Sequence, residues 1–336
     1  MAKKIGTYRK YLEPGYGEVR PEVAIDAPQA LDFSSPEALK ASRLKIIIES
    51  VADLTDLWRA CNCYEKQMKV LTDDTCFKRE GTDIPVRVYH PIAEGSGATE
   101  KKYPILVFYH GGAWSMNNAD VYDFVYRYLA AYQDLIVVAP DYRLAPEYRF
   151  PTGIEDAYGA LEWTAANAWI LGGSKDNISI CGDSSGGNFA AAVAQMSRDR
   201  GGPTVKGQIL IYPATVLNPE GEIKSEELYG TGYFLEYSSK DKMVEFYFDD
   251  YADSDTAYAS PLCAESLEGL PPALFLSAEC DPILDQALMY AARLEDEGVS
   301  VKYHLYEGMI HAYINRPYHE TIDSLDEIGK FVRAHG

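Results

Sequence analysis

Ile178-Ser-Ile-Cys181-Gly182-Asp183-Ser184-Ser185-Gly186-Gly187-Asn188 is the stretch on which the reading of the fold turns. A short apolar strand runs into Gly-x-Ser-x-Gly, and a segment of helical periodicity, Gly187 to Arg198, opens directly behind it. A sharp strand-to-helix turn of this kind exposes a serine hydroxyl above the edge of a sheet. Its glycines are needed because a side chain at Gly182 or Gly186 would collide across the turn. A phosphate cradle would instead require G-x-x-x-x-G-K-[ST], and no lysine follows Gly187. The remaining alternative is a glycine-rich connection that carries no nucleophile.

Around this turn the chain alternates strands and helices from about residue 75 onward, the pattern of a mostly parallel sheet with helices on both faces. Strands are expected at 104–109, 135–139, 178–181, 207–212, 273–277 and 301–306, with helices at 152–166, 187–198, 283–297 and 317–334. A hairpin precedes them, its strands 75–80 and 84–89 flanking Gly81-Thr82-Asp83. Two stretches interrupt the alternation: residues 1–70, with a helical apolar pattern from Ala38 to Trp58, and residues 214–258, rich in Tyr, Phe and acids.

A serine hydroxyl is a weak nucleophile unless a base takes its proton, and the base needs an acid to fix its tautomer. In this fold the chain order is Ser, acid, His. Four histidines follow Ser184: His304 lies within a strand, His319 in the last helix and His335 beside the end. His311 follows a strand through the expected loop Glu307-Gly-Met-Ile310 and is the expected base. Asp281, straight after the strand ending Ala278-Glu-Cys280, is the expected acid, with Glu279 and Asp285 as neighbouring loop or helix-cap carboxylates. The tetrahedral intermediate also needs backbone N–H groups aimed at its oxyanion. Tyr109-His110-Gly111-Gly112-Ala113-Trp114 follows a long apolar strand, and the amides of Gly111, Gly112 and Ser185 are the expected hole. His110 precedes the nucleophile and is read as a loop-former.

The 336 residues carry 31 Lys+Arg against 51 Asp+Glu, a formal net charge of −20, which opposes binding to nucleic acid or to an anionic membrane surface. The longest apolar runs are strand-sized, so no membrane span is expected, and the amino end has no apolar stretch of a secretory signal. The six cysteines are scattered, Cys61-x-Cys63 matches no zinc or redox spacing, and ordinary thiols in a cytoplasmic protein are expected.

Taken together these motifs resemble the hormone-sensitive-lipase-like branch of the α/β-hydrolases, the bacterial type IV esterases. His110-Gly-Gly-Ala113 is similar to that branch's H-G-G-G, and Gly182-Asp-Ser-Ser-Gly-Gly187 to its G-D-S-A-G-G. Asp141-Tyr-Arg-Leu-Ala-Pro-Glu147, Asp281-Pro-Ile-Leu-Asp285 and Glu307-Gly-Met-Ile-His311 match further segments, in the same order. Three departures stand out: Ala113 for the third glycine, Ser185 for alanine, and Ala312-Tyr313 for Gly-Phe. The resemblance implies an α/β-hydrolase domain over 71–336, with a helical cap built from 1–70 and the insertion 214–258. It implies a serine carboxylic-ester hydrolase for small-molecule esters of short to medium acyl chains, with Ser184, Asp281 and His311 as triad and neither cofactor nor metal. A non-catalytic small-molecule receptor on the same scaffold and an amidase or sugar deacetylase with the same triad are the alternatives. Retention of His311 argues against the receptor.

Overall fold

The computed structural model describes residues 17–18, 32, 34–43, 45, 47–49, 68–92, 102–219, 223–316 and 318–336. Most of the expected cap segment 1–70, including Cys61 and Cys63, lies outside the described residues. A first helix, α1, has described residues between 36 and 49.

Eight strands form one sheet. β1 (Val70–Arg79) and β2 (Thr82–Pro91) make an antiparallel hairpin, followed by β3 (Tyr103–Tyr109), β4 (Ile136–Pro140), β5 (Gly173–Asp183), β6 (Gln208–Ile211), β7 (Ala273–Cys280) and β8 (Val301–Ile310). Their order across the sheet is β1-β2-β4-β3-β5-β6-β7-β8, and every pairing from β4 to β8 is parallel. The hairpin turns one residue earlier than expected. Arg79 pairs with Thr82, and the two turn residues Glu80 (φ 49°) and Gly81 (φ 80°) both take positive φ, which matches the twist of a two-residue hairpin.

The parallel strands are covered on both faces, and the side-chain alternation of β3 shows how. Ile105, Val107 and Tyr109 pack on one side with Ile154 and Ala157 of α3 (Thr152–Asn167), Phe189 and Val193 of α4 (Ser185–Arg200) and Ala287 and Tyr290 of α7 (Leu284–Asp296). Leu106 and Phe108 pack on the other, with Phe124 and Leu129 of α2 (Asp123–Gln133) and Leu325 and Ile328 of α8 (His319–His335). Between β6 and β7 lie the short helices α5 (Lys224–Tyr229) and α6 (Lys240–Tyr247).

Three local expectations are corrected. Helix α2 is not among the expected helices; it buries Phe124, Val125, Tyr126, Tyr128, Leu129, Ala130 and Gln133. Helix α4 begins at Ser185, so Gly186 and Gly187 lie within its first turn. Residues 307–310 are not a loop: β8 continues through Ile310, across a register shift against β7 between Ala278 and Cys280. Consequently β5, β7 and β8 end at Asp183, Cys280 and Ile310, and the next residue of each is Ser184, Asp281 and His311.

Candidate active site

Ser184 adopts φ 55°, ψ −119°, a conformation costing roughly 1–3 kcal/mol that survives only where its surroundings over-determine it. Its N–H donates to Ile211 O at 2.9 Å, and its carbonyl accepts from Asn188 N at 2.9 Å and Ala214 N at 3.2 Å. The close approach of backbone explains the glycines. A Cβ on Gly182 would lie 2.1 Å from Gly186 O, and one on Gly186 would lie 2.0 Å from Tyr109 O. Since both obstacles are backbone atoms, Gly186→Ala is expected to destabilise the protein by about 3 kcal/mol or more, the range of severe core overpacking, read as a lowered denaturation midpoint.

His311 and Asp281 reach this serine from the ends of β8 and β7, across β6. His311 Nδ1 lies 2.7 Å from Asp281 Oδ2, and His311 Nε2 lies 2.9 Å from Ser184 Oγ. Asp281 is fully buried, and its other oxygen accepts the Ile283 N–H at 2.9 Å. With Nδ1 donating to the carboxylate, Nε2 is left to accept from the serine hydroxyl. The Tyr212 ring packs against the imidazole at 4.7 Å between centroids.

The alternatives are occupied elsewhere. Glu279 accepts the Gly308 N–H at 2.8 Å, and Asp285 accepts the Ser225 N–H at 3.0 Å. His304 faces Glu327 at 3.4 Å, and His335 Nδ1 lies 2.9 Å from Phe331 O.

The glycine loop after β3 departs from expectation at one residue. The Gly111 N–H points into the protein, donating to Asp183 Oδ1 at 2.7 Å, with Tyr122 Oη at 3.1 Å, and is not available to an oxyanion. A buried carboxylate is a stronger acceptor than a transient ligand, so it captures the amide. Gly112 (φ 131°), Ala113 (φ 51°) and Trp114 (φ 57°) then turn the chain back, with the Gly112 carbonyl accepting from Ser115 N and Met116 N. No hydrogen bond from the Gly112, Ala113 or Ser185 amide to a fixed partner is found among the described residues. Trp114 is tied down by its indole N–H, 3.3 Å from Asn188 Oδ1, and by stacking on Tyr247 at 4.9 Å. His110 is buried and stacked on Tyr142 at 4.3 Å, and desolvation lowers its pKa to about 4, as suits a neutral loop-former.

Sequence reasoning gave no role to Asp183 or Asn188. Asp183 is buried, receives the Tyr122 hydroxyl at 2.9 Å and the Tyr212 hydroxyl at 3.3 Å, and burial pushes its carboxyl up to about 6. Asn188 donates to Ala214 O at 2.9 Å and Ala259 O at 2.8 Å. For Asp183, within the serine motif, a polar side chain at the buried end of an apolar strand was the available signal, whereas Asn188 follows the motif inside α4.

Beside Ser184 opens a cleft lined by Ala113, Trp114, Ser185, Val216, Leu217, Leu235, Met243, Val244 and Ile283. Among the described residues no group of His, Cys, Asp or Glu is arranged to hold a metal, and no helix is long and apolar enough to cross a membrane.

A family model of the alpha/beta hydrolase fold matches residues 106–315. The chain belongs to that family, in its hormone-sensitive-lipase-like branch. This hydrolase is 39% identical over 237 residues to the carboxylesterase NlhH of Mycobacterium tuberculosis, covering 70% of the chain and 72% of that protein. It is 31% identical over 314 residues to the ethyl acetate hydrolase of Pseudomonas putida, covering 92% and 91%. Its structure is similar to that of a Pyrobaculum calidifontis esterase, with a TM-score of 0.79 and 33% identity, covering 94% of each chain.

Proposed function

We propose that the protein is a serine carboxylic-ester hydrolase acting on small esters of short to medium acyl chains. The observation that carries the reading is the continuous hydrogen-bonded line Asp281–His311–Ser184, whose serine lines the apolar cleft. The carboxylesterase and ethyl acetate hydrolase among its relatives support the same class.

Ser184 Oγ attacks the ester carbonyl carbon while His311 Nε2 takes its proton, and Asp281 holds the imidazole and stabilises the imidazolium. The carbonyl oxygen gains the negative charge, met by the amides of Gly112, Ala113 and Ser185. Ala113 replaces Gly111 in the hole because the Gly111 amide belongs to Asp183. The imidazolium then protonates the leaving alkoxide as the C–O bond breaks, leaving the acyl-serine. Water, deprotonated by His311, repeats the sequence in reverse and frees the acid.

Residues 214–258 are proposed to act as a cap, since Leu235, Tyr237, Met243 and Val244 line the same cleft as the serine. The amino-terminal segment is proposed to join it: Arg43 of α1 donates to Ala145 O at 2.7 Å and pairs with Glu147 at 3.1 Å, on the loop leading to α3. The free thiols of Cys181 and Cys280, both buried, fit a reducing compartment such as the cytoplasm.

The test is a series of p-nitrophenyl esters from acetate to decanoate beside the matching anilides. Turnover peaking at or below the medium chains is expected; cleavage of anilides as fast as esters would favour the amidase. Ligand binding without turnover would favour the receptor. Met243→Trp should fill the cleft and cut kcat/KM on hexanoate relative to acetate by about tenfold, the loss of roughly two buried methylenes at about 0.8 kcal/mol each.

A further inference from the structure

We propose that Asp183 is a positioning residue of this site, its buried carboxylate holding the oxyanion loop in place and setting a second negative charge beside the tyrosine on which His311 packs. The inference rests on the roles of Ser184, His311 and Asp281 given above.

Asp183 is the last residue of β5 and touches each part of the machinery. Its Oδ1 accepts the Gly111 N–H at 2.7 Å, which fixes the residue immediately before the Gly112 and Ala113 amides. The packing is tight, since a Cβ on Gly111 would lie 2.5 Å from Asp183 Oδ2. That same Oδ2 accepts the Tyr122 hydroxyl at 2.9 Å and the Tyr212 hydroxyl at 3.3 Å. Tyr212 has φ 32° and lies with its ring against His311, so one carboxylate ties the loop after β3, the nucleophile turn and the residue behind the base.

Charge matters as well as geometry. No ion pair with lysine or arginine is found for Asp183 among the described residues, so dipoles and His311 face its charge. The titratable groups around it are Tyr122, Tyr126, Tyr142, Tyr212, Cys181 and His311. Burial keeps the phenols and the thiol neutral, which leaves His311 as the group among them that becomes positive during the reaction. Asp183 and His311 attract one another, so the ionised carboxylate favours the imidazolium formed at the tetrahedral intermediate. Asp281 orients the ring by direct contact, whereas Asp183 acts through Tyr212, the Gly111 amide and its field.

The experiment compares full pH profiles of p-nitrophenyl acetate hydrolysis for the full chain and two variants. Asp183→Asn keeps an oxygen for the Gly111 N–H and removes the charge. Its kcat is expected to fall about 10- to 100-fold with KM within about threefold, and the acid limb of kcat/KM to move to lower pH by about half a unit, because His311 loses a nearby anion. Tyr122→Phe keeps the charge and withdraws one of its donors. Asp183 then protonates at higher pH, and the acid limb is expected to move up, with kcat about three- to tenfold lower. Opposite displacements of the limb would not arise from a merely structural role. Should Asp183→Asn fail to fold, the Tyr122→Phe profile decides alone. A folded variant with kcat within twofold of wild type, or with reduced kcat and an unmoved acid limb, overturns the proposal. Ser184→Ala is run in parallel: activity surviving in it would overturn the nucleophile assignment, whereas an inactive Ser184→Ala beside an unaltered Asp183→Asn overturns the role of Asp183 alone.

Discussion

Ser184→Ala is expected to lose about 10⁴- to 10⁶-fold in kcat on p-nitrophenyl acetate while keeping its far-ultraviolet circular dichroism and its melting temperature. The loss is that large because the three side chains act as a unit. Without Oγ, His311 Nε2 has no proton to take, and only the hole and the cleft remain to assist a water molecule. The fold should persist because the Ser184 hydroxyl bonds to His311 Nε2, whereas the turn is held by backbone contacts to Ile211, Asn188 and Ala214. Alanine meets the same positive φ as serine, so the strain at that residue is nearly unchanged. A variant with more than a tenth of the wild-type kcat, verified free of carried-over enzyme by active-site titration, would remove Ser184 from the mechanism.

The site was legible in the sequence wherever chemistry and local geometry coincide in a few consecutive residues. Gly182, Ser184 and Gly186 announce the turn because a Cβ at either glycine strikes backbone. Asp281 and His311 could be separated from Glu279, Asp285, His304, His319 and His335 by where strands end, since a parallel sheet delivers its functional residues at one edge. The strands β4, β6 and β7 were equally visible, being buried along their whole length and mostly apolar. Long-range capture was not visible. The Gly111 amide is claimed by Asp183, a residue distant in sequence, and nothing in His110-Gly-Gly-Ala113 says which of its amides faces inward. Ala113 appeared only as a departure from a third glycine, yet it takes φ 51°, just before Trp114, which is held by Asn188 and Tyr247. The stretch 214–258 was visible as an interruption of the alternation, while its helices α5 and α6 are too short for periodicity to define.

Asp281→Asn is expected to cost about 10⁴-fold in kcat with KM little changed, a loss that comes from a tautomer and not from a missing contact. In the wild type, Oδ1 accepts the Ile283 N–H at 2.9 Å and Oδ2 accepts the His311 Nδ1–H at 2.7 Å. The Ile283 amide is a fixed donor, so an asparagine must present its carbonyl oxygen there and turn its NH₂ toward His311. Two donors cannot face each other at that distance. The imidazole therefore moves its proton to Nε2, leaving Nδ1 to accept from the asparagine. Nε2–H now donates to Ser184 Oγ, 2.9 Å away, and the serine proton has no acceptor. Shape and packing are conserved, so the variant should bind ester normally and melt near the wild-type temperature. Asp285→Asn and Glu279→Gln are the controls. Their carboxylates serve the Ser225 and Gly308 amides, so kcat should stay within about fivefold of wild type, as expected for groups outside the transition state. If either control loses as much as Asp281→Asn, or if Asp281→Asn retains more than about a hundredth of the wild-type kcat, the orienting acid is not Asp281.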